Sequence, residues 1–210
     1  MPLHHKGIGW LVLMSMKRAL ISVYDKTGIV SFAKELAKLG FTLISTGGTH
    51  KTLEDAGVDA VKHVSEVTEF PEILEGRIKT GHPKLMGGIL ALRDKKEHMK
   101  DLERFGIEPV DLVVCNLYPF ERVTEQGADL KTALEYIDIG GPNMIRAAAK
   151  NFANVVVIVN PRRYGQVLRE YKENGDVSAE TRKVLAVEAF KETARYDAII
   201  CRFLEKRFRI

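Results

Sequence analysis

Five apolar, β-rich runs punctuate the chain: "RALISVY" (18–24), "FTLIS" (41–45), "DAVKHV" (59–64), "VDLVVCNLY" (110–118) and "NVVVIVN" (154–160). Between them, apolar positions recur at helical spacing. In "IVSFAKELAKLG" (29–40), Ile29, Phe32, Ala33, Leu36 and Leu39 fall on one stripe, and Gly40 ends it. "HKTLEDAG" and "EHMKDLERFG" repeat the helix-then-glycine ending. Strands alternating with helices predict an α/β fold, a mostly parallel sheet flanked by helices, with runs such as "VVVIV" as central strands. From about residue 161 the pattern turns helical. "SAETRKVLAVEAFKETARYDAIICRFLEKRF" opens on Ser178 and Thr181 as a cap region. Its apolar positions at 184, 185, 187, 189 and 190, then Tyr196, Ile199, Ile200 and Phe203, predict a helical C-terminal part. That part is expected to pack on the sheet unit and on a second chain.

No Pro/Gly/Ser linker or internal repeat interrupts the pattern, so residues 17–210 are expected to form one domain. Residues 1–16, "MPLHHKGIGWLVLMSM", are expected to be a loose extension with His4 and His5 solvated. The apolar run Trp10 to Met14 is too short for a signal-peptide core or a membrane span. Apolar residues make up 45% of the chain and charged residues 29%, the balance of a soluble globular protein. Basic residues exceed acidic ones by 32 − 28 = 4. So mild an excess suits a small anionic substrate as well as RNA, but the basic residues are scattered, which makes nucleic acid the minority reading, and none is expected. The two cysteines lie in no CxxC pair, which argues against a disulfide scaffold and a zinc site. No metal and no membrane contact is expected, and a cytoplasmic location is. Cys115, inside an apolar run, reads as a small buried hydrophobe.

Candidate chemistry gathers where strands end, since ligands of open parallel sheets sit beyond the carboxyl ends of the strands. "DKTG" (25–28) follows the first strand and "STGGT" (45–49) the second, each just before a helix. Hydroxyls, glycines and backbone N–H groups in that setting suit a phosphate, and Lys26 adds a charge. Neither a GxxxxGK[ST] loop nor a GxGxxG fingerprint is present, so ATP and NAD are not indicated. In "NLYPF" (116–120), Asn116 can donate and accept and Tyr118 can relay a proton, while Leu117 and Phe120 read as core. In "YIDIGGPNMIRAAAKN" (136–151), Asp138 precedes a glycine pair and a helix carrying Arg146 and Lys150. "GRIKTGHPKLMGGIL" (76–90) places Arg77, Lys79, His82 and Lys84 among Gly76, Gly81, Pro83, Gly87 and Gly88. So many helix breakers predict a shaped, anion-holding loop across this whole stretch.

"SVYDKTG", "STGGT", "FPEILEGRIKTGHPKLMGGIL", "CNLYPF", "DIGGPNMIRAAAKN" and "ARYD" resemble, in order, the IMP cyclohydrolase domain of the bifunctional purine-biosynthesis enzymes. The likeness runs from about residue 17 to 204. It implies a methylglyoxal-synthase-like fold. It also implies closure of 5-formamidoimidazole-4-carboxamide ribotide to IMP with loss of water, no cofactor, and a homodimer. By the same resemblance, Lys79, Tyr118, Asp138 and Lys150 are catalytic, with Lys150 the proton donor and acceptor. Ser22, Lys26, Thr27, Thr46, Gly47, Gly48 and Thr49 cradle the nucleotide phosphate. Arg77, Thr80, Cys115, Asn116, Ile139 and Gly140 complete the substrate contacts. Two departures stand out: Tyr24 where the family has a small hydroxyl residue, and Gly81 where it has leucine. The chain ends where the family's transformylase domain begins, as expected of a stand-alone cyclohydrolase or of one fragment of a longer product. A metabolite-sensing module of the same fold and methylglyoxal synthase itself are the rival readings. The presence of Lys79, Tyr118, Asp138 and Lys150 together argues against the first, and "NLYPF" with "DIGG…AAAK" against the second.

Overall fold

Five parallel strands form the sheet: β1 (Arg18–Val23), β2 (Thr42–Ser45), β3 (Val61–His63), β4 (Leu112–Asn116) and β5 (Val156–Ile158), in the order β3-β2-β1-β4-β5. This computed structural model describes residues 16–59 and 61–210, so the expected N-terminal extension, Met16 apart, lies outside the described residues. The central strands are sealed on both sides. Ala19, Leu20, Ile21, Leu43, Leu112 and Val113 are buried, which is why their runs show no polar alternation. The run "VVVIV", expected as a central strand, is instead β5 at one edge of the sheet, where Val156, Val157 and Ile158 are still buried.

The helices are α1 (Ile29–Lys38), α2 (Gly47–Asp55), α3 (Val64–Thr68), α4 (Pro83–Leu90), α5 (Lys96–Phe105), α6 (Phe120–Glu125), α7 (Leu130–Glu135), α8 (Gly140–Lys150), α9 (Tyr164–Asn174) and α10 (Ala179–Phe208). α1 buries Ile29, Phe32, Ala33 and Leu36, and Phe32 stacks on Tyr164 of α9 at 4.3 Å. α8 packs on β4 and β5 and is itself flanked by α4 and α10. Burying a side chain such as Phe32 or Leu36 contributes about 1.5–3 kcal/mol.

The expected glycine-rich loop needs correction. The stretch 76–90 is not a loop throughout, because Pro83 to Leu90 is helical, with Pro83 in the first turn and His82 Nδ1 accepting Lys84 N–H at 3.2 Å. Its glycines serve close approach. A Cβ at Gly88 would fall against the Glu108 backbone oxygen, and one at Gly87 would sit 3.1 Å from Ile107 Cδ1. The expected C-terminal helical part is α10, and its apolar residues fall on two faces. Leu185, Ala186, Ala189, Tyr196 and Ile199 face the core, whereas Val184, Val187 and Phe190 are exposed. A period of 3.6 residues per turn puts these two sets on opposite sides of the helix.

Candidate active site

Adjacent strands lie ~4.8 Å apart, so the carboxyl ends of β2, β1 and β4 bring three expected loops within ~10 Å of one another. Sequence neighbours of β1 lie to one side of it and β4 and β5 to the other, a switch point where a crevice is expected.

At the β1 and β2 ends, Ser22 Oγ and Thr46 Oγ1 are 3.0 Å apart. Thr46 precedes α2 but gives that helix no side-chain cap. Its first-turn N–H groups at Gly47 and Gly48 therefore remain uncapped by it, and a Cβ on either glycine would meet nothing within 4 Å. Thr49 is committed elsewhere. Its hydroxyl donates to Val23 O at 2.9 Å and accepts from Val23 N at 3.1 Å, closing the end of β1.

The switch point is braced in the same way. Asn116 Oδ1 accepts from Tyr24 N (2.7 Å) and Asp25 N (2.8 Å), and its Nδ2 donates to Asp25 O (3.0 Å). Thr27 donates its N–H and hydroxyl to Asp25 Oδ1, at 2.9 and 2.6 Å. Lys26 folds back to donate to the carbonyls of Val23 and Tyr24, and burial lowers its pKa while Asp25 opposes that shift. A cleft of about 770 Å³ opens on the β4–β5 side between this loop and α10, lined by Tyr24, Lys26, Asn116, Arg122, Lys191 and Arg195 among others. Of the expected site, Lys26 and Asn116 line it, whereas the expected catalytic residues Lys79, Tyr118 and Asp138 do not.

Those residues meet above α8. Asp138 Oδ1 accepts Gly141 N–H at 2.8 Å, and the carboxyl also takes the Tyr118 N–H and feels the charge of Lys79. Burial nevertheless dominates and raises the Asp138 pKa above its ordinary value, with those three groups pulling the other way. Tyr196 of α10 fixes the main chain here, accepting Asp138 N–H at 2.9 Å and donating to Tyr136 O at 2.8 Å. The glycine pair lets the pieces close up. A Cβ at Gly140 would be 2.5 Å from Thr80 Oγ1, and one at Gly141 would be 2.6 Å from Asp138 Oδ2. Tyr118 stands edge-on to Tyr24 at 5.8 Å and to Tyr136 at 6.4 Å. Ile139 is 71% exposed beside them.

Other expected residues are placed differently. Cys115 is 2% exposed, and burial, then Asp138, pushes its thiol well above the ordinary value, so it is a neutral buried group. Arg77 is paired with Glu135 of α7 at the surface. Lys150 is placed apart from them. It ends α8, ten residues or ~15 Å of helix from Gly140, and is exposed. The next residue, Asn151, donates to the Ile89 and Ala91 carbonyls at the C-terminal end of α4 (2.7 and 3.0 Å). Lys150 thus lies at the pole opposite Asp138. His82 caps α4 and stacks on Phe70, and Lys84 pairs with Glu69, so both brace the segment. Gly81 has a negative or extended φ and open space on its Cβ side, so nothing here requires glycine.

A model described as "MGS-like domain" matches residues 28–143, more than half of the chain. The chain belongs to the MGS-like domain family. A further segment, residues 148–209, matches a model described as "AICARFT/IMPCHase bienzyme". The MGS-like chain is 56% identical over 194 residues to a bifunctional purine biosynthesis protein PurH of Persephonella marina, covering 92% of this chain and 38% of that one. It is 53% identical over 192 residues to the protein of the same description in Bacillus subtilis, covering 91% and 37%. It therefore spans under two fifths of the length of these relatives. A crystal structure of ForH superposes with a TM-score of 0.79 at 34% identity, covering 88% of this chain and 95% of that one. Among the described residues of the MGS-like chain, no helix is long and apolar enough to cross a membrane.

Proposed function

We propose that this MGS-like chain is an IMP cyclohydrolase, closing formylated aminoimidazole carboxamide ribotide to IMP. The observation that carries the reading is the convergence of Lys79, Tyr118 and Thr80 on Asp138 and the start of α8. PurH relatives above 50% identity support it as well.

The reaction joins the carboxamide nitrogen to the formyl carbon, and the formyl oxygen leaves as water. Both reacting groups belong to one molecule, so positioning supplies much of the rate. The phosphate rests at Ser22, Thr46, Gly47 and Gly48, where α2 offers N–H groups without a side-chain cap. Thr49, Asn116 and Thr27 act through the main chain they hold rather than as free side chains. Asp138 takes the proton from the carboxamide nitrogen. Its raised pKa makes it a better base than an ordinary surface carboxylate. Lys79 stabilises the oxygen of the tetrahedral intermediate, and Tyr118 passes the proton that lets that oxygen depart as water. Lys150 takes no part within one copy. The exposed stripe of Val184, Val187 and Phe190 on α10 is the face we assign to a homodimer, to be checked by light scattering.

Incubation of the purified chain with the formylated ribotide, followed by absorbance and chromatography, tests the activity. IMP above the uncatalysed background, and a steep fall in its rate in Lys79→Ala, is the expected result. Tight binding of the ribotide without IMP would make the chain a sensor and end the enzymatic reading.

A further inference from the structure

Lys79 is carried on a hairpin closed by a single antiparallel bridge. Ile73 N donates to Ile78 O at 3.2 Å, and Ile78 N to Ile73 O at 3.4 Å. Leu74, Glu75 and Gly76 turn the chain between them in three successive left-handed conformations, with φ of 53°, 56° and 85°. The residues flanking a doubly bonded antiparallel pair stand opposite each other as the closer kind of pair, with Cβ atoms ~5 Å apart. One step outward from Ile73 and Ile78 lie Glu72 and Lys79, which carry opposite charges. Their tips flank the same side of the turn without closing into an ion pair. A Cβ at Gly76 would lie 3.8 Å from Glu72 Oε2 and 3.9 Å from Lys79 Nζ.

The other carboxylate oxygen looks the opposite way. Glu72 Oε1 is buried and 3.4 Å from His63 Nε2 at the end of β3. That approach falls outside hydrogen-bond geometry, so Oε1 has no hydrogen-bond partner among the described residues. His63 is fixed in place. Its Nδ1 accepts Ser65 N–H at 3.3 Å and lies 2.7 Å from Ser65 Oγ, while the His63 main-chain N–H donates to Glu66 Oε1 at 2.7 Å. With Nδ1 accepting, the neutral ring carries its proton on Nε2, the nitrogen that faces Glu72. His50 of α2 backs the ring edge-on at 5.1 Å.

We propose that Glu72 is a positioning residue for Lys79. Its carboxylate, backed by His63, attracts the Lys79 ammonium across Gly76 and so keeps it turned toward Asp138. This rests on the reading that Lys79 acts in ring closure, but the pairing itself can be read without activity.

Two measurements on the full chain test it. Treatment with a water-soluble carbodiimide activates a carboxylate, and an amine in contact then forms an amide while the reagent leaves as a urea. The digest is expected to contain a Glu72–Lys79 isopeptide, absent from Glu72→Gln, and its absence from the unmutated chain would overturn the pairing. In steady-state kinetics, Glu72→Gln is expected to lower kcat at least about tenfold with KM nearly unchanged. In a Lys79→Ala background the same change is expected to leave the residual rate as it is. Losses that multiply instead would mean that Glu72 acts independently of Lys79, and would overturn the positioning role. An unmutated chain without turnover removes the cyclohydrolase reading, and the cross-link then decides the pairing by itself.

Discussion

Asn116 and Thr49 carry the same kinds of donor and acceptor that a ligand would need, and both were expected to contact substrate. The structure shows both bonded to backbone. A strand that stops at the edge of a parallel sheet leaves main-chain N–H and C=O groups without a ladder partner, and nearby polar side chains satisfy them. Sequence does not distinguish the two uses, because the residue types are identical and only the position of the facing main chain decides. Asp138 is the opposite case. Its place before a glycine pair was legible, but its burial and its neighbours from residues 79 and 118 were not. Burial raises its pKa from an ordinary 3.8, so the folded chain holds that proton more tightly than the unfolded chain does. Stability from this group is therefore greatest below 3.8 and falls as pH rises through the folded value. Asp138→Asn is accordingly expected to melt at the same temperature as the unmutated chain, or higher, at pH 7, with the gap closing in acid. The same variant should lose about a hundredfold or more in turnover. A lower melting temperature at pH 7 would contradict the assigned cost of burial.

Helix α4 shows how an element defeats a composition argument. Glycines at 87 and 88 read as breakers, yet the helix needs them where the 106–110 segment crosses closely. Intrinsic propensity charges ~1 kcal/mol for a helical glycine, and tertiary contact outweighs it. Gly88→Ala should therefore destabilise the chain by about 1–3 kcal/mol, although alanine is the better helix former. For a chain of this size that is a fall of roughly 2–4 °C in Tm per kcal/mol. An unchanged or raised melting temperature would show that the Glu108 segment yields freely. Helix α8 raises the matching question for Lys150. Its motif is continuous with Asp138 in sequence, but a helix separates residues along its axis as fast as it carries the chain forward. Lys150→Ala is expected to keep turnover within about threefold of the unmutated chain, far from the 10²–10⁴ cost of losing a proton-transfer group. Complete loss of activity would bring Lys150 back into the reaction, by way of a second copy.

For the molecule as a whole, both sheet faces must stay covered if the strand ends are to hold their loops. On one face, Glu35 of α1 bonds Lys172 of α9 at 2.6 Å and Lys38 at 2.7 Å. These bonds lower its pKa from 4.5 to about 2. The folded chain thus binds this proton more weakly than the unfolded chain, so the stabilisation is present above 4.5 and is lost as pH falls through about 2. Glu35→Gln should show a slightly reduced melting temperature at pH 7 that converges with the unmutated chain near pH 2. Curves that stay parallel into acid would show that the pair does not contribute. The sequence by itself determined the alternation of strands and helices, the sealed central strands and the motifs at the strand ends, because those follow from local periodicity and residue type. Tertiary structure alone decided which motif residues share a pole. Strand order brought the loops of β1, β2 and β4 together, while a one-bridge hairpin carried Lys79 to Asp138. The same helix that starts beside Asp138 placed Lys150 at the far end. Hydrophobic spacing fixes which face of an element is buried, but proximity between distant residues depends on how the elements pack, and that is set only when the whole chain closes on its core.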